Sequence, residues 1–276
     1  MTPRKIDYFR RGRHFLFGMV HLWPILQGNY SLSEIEERAV TDAMRLAEAG
    51  FDAVMIENFG DAPFYPESVP PHTIAGMTRI AYAISRKFEE LGRDAPKLGI
   101  NVLRNDAQAS IAIAAAVGAD FVRVNVHSGA MVTDQGLIQG KAHETVRYRD
   151  IIHPECVILA DLQVKHSAPL AKRSMEEEAH ELWKRAKADG LILTGTRTGA
   201  SADLQQCRQL NQIFPECPLL VGSGVTPEQL QKLLPHSTGL IVGTWLKQDG
   251  QLHNPVDLDR AKELVSLVRK KAGVNN

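Results

Sequence analysis

Short runs of β-branched and apolar residues alternate along the chain with longer stretches in which apolar positions recur every three or four residues. This is the pattern of repeated strand–helix units on a parallel sheet. Eight runs read as strands, over residues 15–22, 52–58, 97–103, 121–127, 157–165, 190–195, 218–222 and 239–244, and each is followed by a helical pattern. The helix punctuation agrees. Ser31 to Glu34 can form a capping box before residues 35–49, and Gly50 is a suitable stop. Thr226-Pro227-Glu228 sets a cap residue before a proline at a first helical position. No linker or low-complexity tract divides the chain, so residues 1–276 are read as one α/β domain, a (β/α)8 TIM barrel with a basic segment at 1–14. Connections 59–71 and 128–140 are longer than usual and lie on the side where barrel enzymes keep their active sites, which makes them candidate lids.

Polar residues inside a central parallel strand are costly unless paired or directed into a functional mouth. In the fourth strand Arg123, Asn125 and His127 share one parity, opposite the valines, and should line the barrel interior. In the fifth, Asp161, Gln163 and Lys165 share a parity and can answer them. His21 ends the first strand, Glu57 ends the second, and Asn101 lies in the third. His21, Glu57, His127, Asp161 and Lys165 are therefore the candidate catalytic residues, and Asn101, Arg123, Asn125 and Thr194 the candidate substrate-binding ones. A buried ion-pair network of Arg123, Asp161 and Glu57 that merely closes the barrel fits the deeper positions equally well.

The last two units carry a second signal. Gly222-Ser223-Gly224 and Gly243-Thr244 end the seventh and eighth strands, where barrels often hold phosphate through glycine backbone N–H groups and neighbouring hydroxyls. A phosphorylated small molecule is the expected ligand. Thr196, Thr198 and Gly199 could extend the site.

Composition narrows the classes. The chain has 276 residues, 32 basic and 32 acidic, so no global field attracts nucleic acid, and an anion site must be local. Cys156, Cys207 and Cys217 lack C-x-x-C spacing and read as reduced core thiols of a cytoplasmic protein. No apolar run approaches a membrane span, and no signal-peptide core precedes the first strand. The basic residues before position 14 suit a helix closing the barrel bottom, with peripheral membrane contact as the alternative. His21, Glu57, His127, Asp161 and His166 are metal-ligand types without metal-motif spacing, so a divalent ion remains open. A Schiff-base role for Lys165 is likewise open, opposed by the charge of Asp161. A homo-oligomer is compatible with the fold class.

The segments "GMVHLWPI", "DAVMIENFGDAPF", "GINVLRNDAQASIAIAAAVGADFVRVNVHSGAMVTDQGLIQGKAHE", "DLQVKHSAPL", "LLVGSGVTPE" and "NPVDLDRAKELV" resemble the BtpA family, also called BtpA/SgcQ, from about Phe15 to Val268. The resemblance implies a barrel of the ribulose-phosphate-binding type and, for its cyanobacterial members, a role in photosystem I biogenesis at the thylakoid membrane. Segment "HLWPILQGNY" departs from the more proline- and glycine-rich stretch of many members. Two functions are expected. One is an enzyme, a lyase, isomerase or hydrolase, acting by acid–base chemistry on a phosphorylated sugar or nucleoside-like metabolite. The other is a non-catalytic assembly factor for photosystem I.

Overall fold

The computed structural model describes residues 14–162, 164, 167–171, 173–195 and 203–271. Eight parallel strands close into a barrel: β1 (Phe15–His21), β2 (Ala53–Glu57), β3 (Lys97–Asn101), β4 (Phe121–Val124), β7 (Val157–Asp161), β9 (Gly190–Leu193), β10 (Leu219–Val221) and β11 (Gly239–Val242). Every expected strand is present, each starting within a residue of its expected position and each ending earlier at its C-terminal end. Helices α1 (Leu32–Ala49), α2 (Pro71–Leu91), α3 (Ala107–Val117), α4 (Ala142–Ile152), α6 (Leu204–Ile213) and α8 (Leu258–Lys271) cover the outside. The short α5 (Met175–His180) continues as a π-helical turn over Glu181–Arg185.

Local chemistry explains the element ends. Ser31 and Glu34 form the capping box of α1, and Gly50 closes it with φ at 88°. Asp106 caps α3 by accepting from the Ala109 N–H and also accepts from Val69 N–H, while Asn105 brackets both backbone groups of Val126. The Asn-Asp turn thus fastens the end of β3 to the lid and to the chain beyond β4. The helix expected after Thr226 is only α7 (Leu230–Leu233), reached through a tight turn in which Gln229 N–H donates to the Thr226 carbonyl and Leu230 N–H to that of Pro227.

Connection 128–140 is not a loop. It folds into a hairpin of β5 (Ala130–Thr133) and β6 (Gly136–Gln139), which pairs with β8 (Ser167–Pro169) as an antiparallel sheet apart from the barrel. Connection 59–71 begins with a 3-10 turn at Phe59–Asp61, anchored because Asp61 accepts from Ile25 N–H at 2.7 Å.

The core has two layers. One lies between strands and helices, and the other fills the barrel axis, where Phe17 and Phe121 meet edge to face at 5.4 Å. Gly99 makes that plug fit, since a Cβ there would lie 2.1 Å from the Phe121 ring. Cys156, Cys207 and Cys217 are buried and unbridged, and burial pushes the Cys207 thiol up to about 12. Among the described residues no helix is long and apolar enough to cross a membrane. The basic segment at 1–13 lies outside the described residues.

Candidate functional site

Above the aromatic plug the inward-facing positions turn polar, as strand parity requires. Arg123 donates from Nε and Nη2 to the two oxygens of Asp161, both at 2.9 Å, and its Nη1 lies 3.8 Å from Glu57 Oε2. Asn125 donates to Asp161 Oδ2 at 2.8 Å, and Asn101 donates to Glu57 Oε2 at 2.6 Å. Burial works against the charge on Arg123, yet Asp161 and Glu57 together hold its guanidinium above its usual value. The other oxygen of Glu57 faces His21 Nε2 at 4.0 Å, and the His21 ring packs 5.1 Å from that of Phe59.

These residues line a cavity of about 380 Å³ at the C-terminal mouth, a volume suited to a small metabolite. His21, Glu57, Arg123, Asn125 and Asp161 share its wall with Gly222, Ser223, Gly224, Gly243 and Thr244, so ten expected residues converge. Asn101 sits below, buried, and touches the site through Glu57. Thr194 is buried at the end of β9, beneath Gly222, and does not line the cavity.

Four expectations change. His127 does not join the mouth. Strand β4 ends at Val124, alternation lapses beyond it, and His127 Nε2 meets the Ala186 carbonyl at 2.9 Å on the far side of the wall. Burial holds its imidazole below the usual value, despite the Ala186 bond and the charge of Asp189. Asp161 is held as an ion-pair partner, with Arg123 donating to both its oxygens and Asn125 to one of them. Gly222 supplies room rather than a free donor: its N–H goes to the Leu193 carbonyl, and a Cβ there would lie 2.8 Å from Ile192. Gly243 likewise clears space for His21, whose Cε1 would be 3.0 Å from an added Cβ. Lys165, Gln163, His166, Thr196, Thr198 and Gly199 lie outside the described residues.

The phosphate-type loop has one feature beyond glycine. Ser223 is 5% exposed, and its hydroxyl has no hydrogen-bond partner among the described residues. Gly224 follows with φ at 63°, a left-handed turn that favours glycine. Sequence reasoning missed Arg104 and Arg260, which also line the cavity. Burial lowers the Arg104 value from the usual one, opposed by Asp134, Asp161 and Glu57, yet guanidinium stays charged. Arg260 donates to the Trp245 carbonyl at 2.7 Å and stacks 4.6 Å above that ring. Neither arginine lies on a barrel strand, so parity could not find them. Among the described residues, three guanidinium groups against the two carboxylates of Glu57 and Asp161 leave the wall with a surplus of positive charge. Among the described residues no three His, Cys, Asp or Glu side chains group as a metal site.

Fold and mouth define a (β/α)8 barrel with an open cavity at the C-terminal ends of its strands, where a cluster of polar and charged side chains meets apolar walls. The chain belongs to the BtpA family, whose model matches residues 13–270. It is 43% identical to an uncharacterised protein of Methanocaldococcus jannaschii, over 92% of this chain and 95% of the relative. It is 38% identical to the photosystem I biogenesis protein BtpA of Synechocystis, over 91% of this chain and 86% of the relative. Among solved structures it is similar to thiamine phosphate pyrophosphorylase from Pyrococcus furiosus, with TM-score 0.59, 14% identity, and 95% and 98% of the two chains covered, a likeness of fold.

Proposed function

We propose that the barrel mouth binds a phosphorylated sugar or nucleoside-like metabolite and acts on it by acid–base chemistry. The observation that carries this reading is the buried Ser223 hydroxyl, without a partner among the described residues, beside the left-handed turn at Gly224 in a cavity with surplus positive charge. A phosphate oxygen would accept from that hydroxyl and be drawn by Arg260 and Arg104.

Next to these loops, at the ends of β1 and β2, His21 and Glu57 are the proton-transfer pair. Asn101 fixes one oxygen of Glu57, leaving the other toward His21. A ligand that closes the 4.0 Å gap by about 1 Å would make that contact a hydrogen bond, with Glu57 orienting the ring and His21 moving the proton. Arg123 stays charged beside them and can stabilise negative charge that develops on the substrate.

A mixture of phosphate esters incubated with the protein and followed by mass spectrometry tests the chemistry. The wild type should consume one class of ester. His21→Ala and Glu57→Gln should each slow conversion by about 10²- to 10⁴-fold while keeping ligand-induced stabilisation. Conversion unaffected by either change would rule out this pair, and a pure assembly factor would convert nothing.

A further inference from the structure

A second cavity of about 280 Å³ lies behind the mouth, between the ends of β4 and β7, the antiparallel sheet and α5. Asn125 and Asp161 line both cavities, so the two compartments share a wall. The hydrogen bonds around that wall fix its character. Asn125 gives its amide N–H to the Asp161 carboxylate, which only accepts, so its Oδ1 is the acceptor end. His127 Nε2 faces the Ala186 carbonyl, another pure acceptor, so Nε2 carries the proton. Burial keeps the ring neutral, and its Nδ1 is therefore an acceptor as well.

Both atoms are buried without a hydrogen-bond partner among the described residues. Two orphaned acceptors on residues that line one compartment are unfavourable unless a donor meets them. Among the described residues Glu178 and Glu181 also line this cavity against the single cation Arg173, the opposite balance to that of the mouth.

We propose that this compartment is the subsite for the far end of the mouth ligand, and that this end bears an amino or amide group whose N–H bonds meet Asn125 Oδ1 and His127 Nδ1. The ligand class is a phosphate ester with a nitrogenous donor, such as an amino-sugar phosphate or a nucleotide with an exocyclic amine. A carbonyl in that place would set a third acceptor against two. The phosphate end rests on the function proposed above, whereas the donor end rests on this cavity alone.

Titration calorimetry on matched pairs separates the two. The probes are adenosine and inosine 5′-monophosphates, glucosamine and glucose 6-phosphates, and the same four compounds without phosphate. The amino member of at least one pair should bind roughly tenfold or more tightly, with and without phosphate. His127→Leu should abolish that preference. Ala130→Phe, which fills the compartment from the hairpin side and removes no side-chain hydrogen bond, should abolish it too. Equal affinity within every pair, no binding by any amino compound, or a preference that survives both variants would overturn the proposal. An amino preference to which phosphate adds no affinity would strike the phosphate reading alone.

Discussion

Asp161 spends both carboxylate oxygens on Arg123 and one of them again on Asn125. It therefore anchors a cation at the site, and the proposed proton-transfer role is given to His21 and Glu57. His127 makes the same point from the other side, as a buried neutral ring held by a backbone carbonyl. Its value is lowered from 6.5, so the unfolded chain takes up that proton more readily than the folded one. The sign follows: its share of stability is complete above about pH 6.5 and declines as the pH falls through the unfolded value toward the lower folded one. Urea unfolding at about pH 7.5 and about pH 5.5 should show a larger loss for the wild type than for His127→Gln. Equal losses would show that His127 is not the titrating group. The sequence revealed Arg123, Asp161 and Glu57 as inward-facing because strand parity is strict. It also offered their ion-pair network, but not that Arg123 holds Asp161 in two hydrogen bonds and Glu57 only at 3.8 Å, since that depends on distances across strands far apart in the chain.

At the scale of elements, parity fails where a strand stops. Strand β4 ends at Val124, so the alternation that reads correctly at Arg123 no longer holds at His127. The hairpin of β5 and β6 was hidden because one face, with Val132 paired to Leu137, is exposed, and the other buries only Ile138, against Val126, Val164 and Met131, too little to show as a stripe. The glycine-rich segments were legible as site loops, but their division of labour was not: Gly222 and Gly243 make room, and Gly224 makes a turn. Gly99 is a further space-maker, aligned with Phe121 across β3 and β4. Gly99→Ala should cost about 1–3 kcal/mol by denaturant unfolding through overpacking, and Phe121→Leu in the same chain should recover part of it. Strictly additive losses would show that the two positions do not share one space.

For the whole molecule, the eight-fold alternation and helix caps were enough to specify a closed barrel, because each unit's local signals agree with the same global fold. The formal net charge of zero concealed the local field: cations from the β3–α3 turn and the start of α8 meet Arg123 only once the barrel closes. The three arginines line one cavity, which suits an anion, and the loop after β10 is the proposed phosphate site. Thermal unfolding with inorganic phosphate and a panel of sugar phosphates and nucleotides, on wild type and Gly224→Asp, tests this directly. A phosphate ester at about 100 times its Kd should add about 2.7 kcal/mol to the wild type and little to Gly224→Asp, where a carboxylate would occupy the turn. Stabilisation of both proteins alike, or of neither by any phosphate compound, would contradict a phosphate site at the barrel mouth.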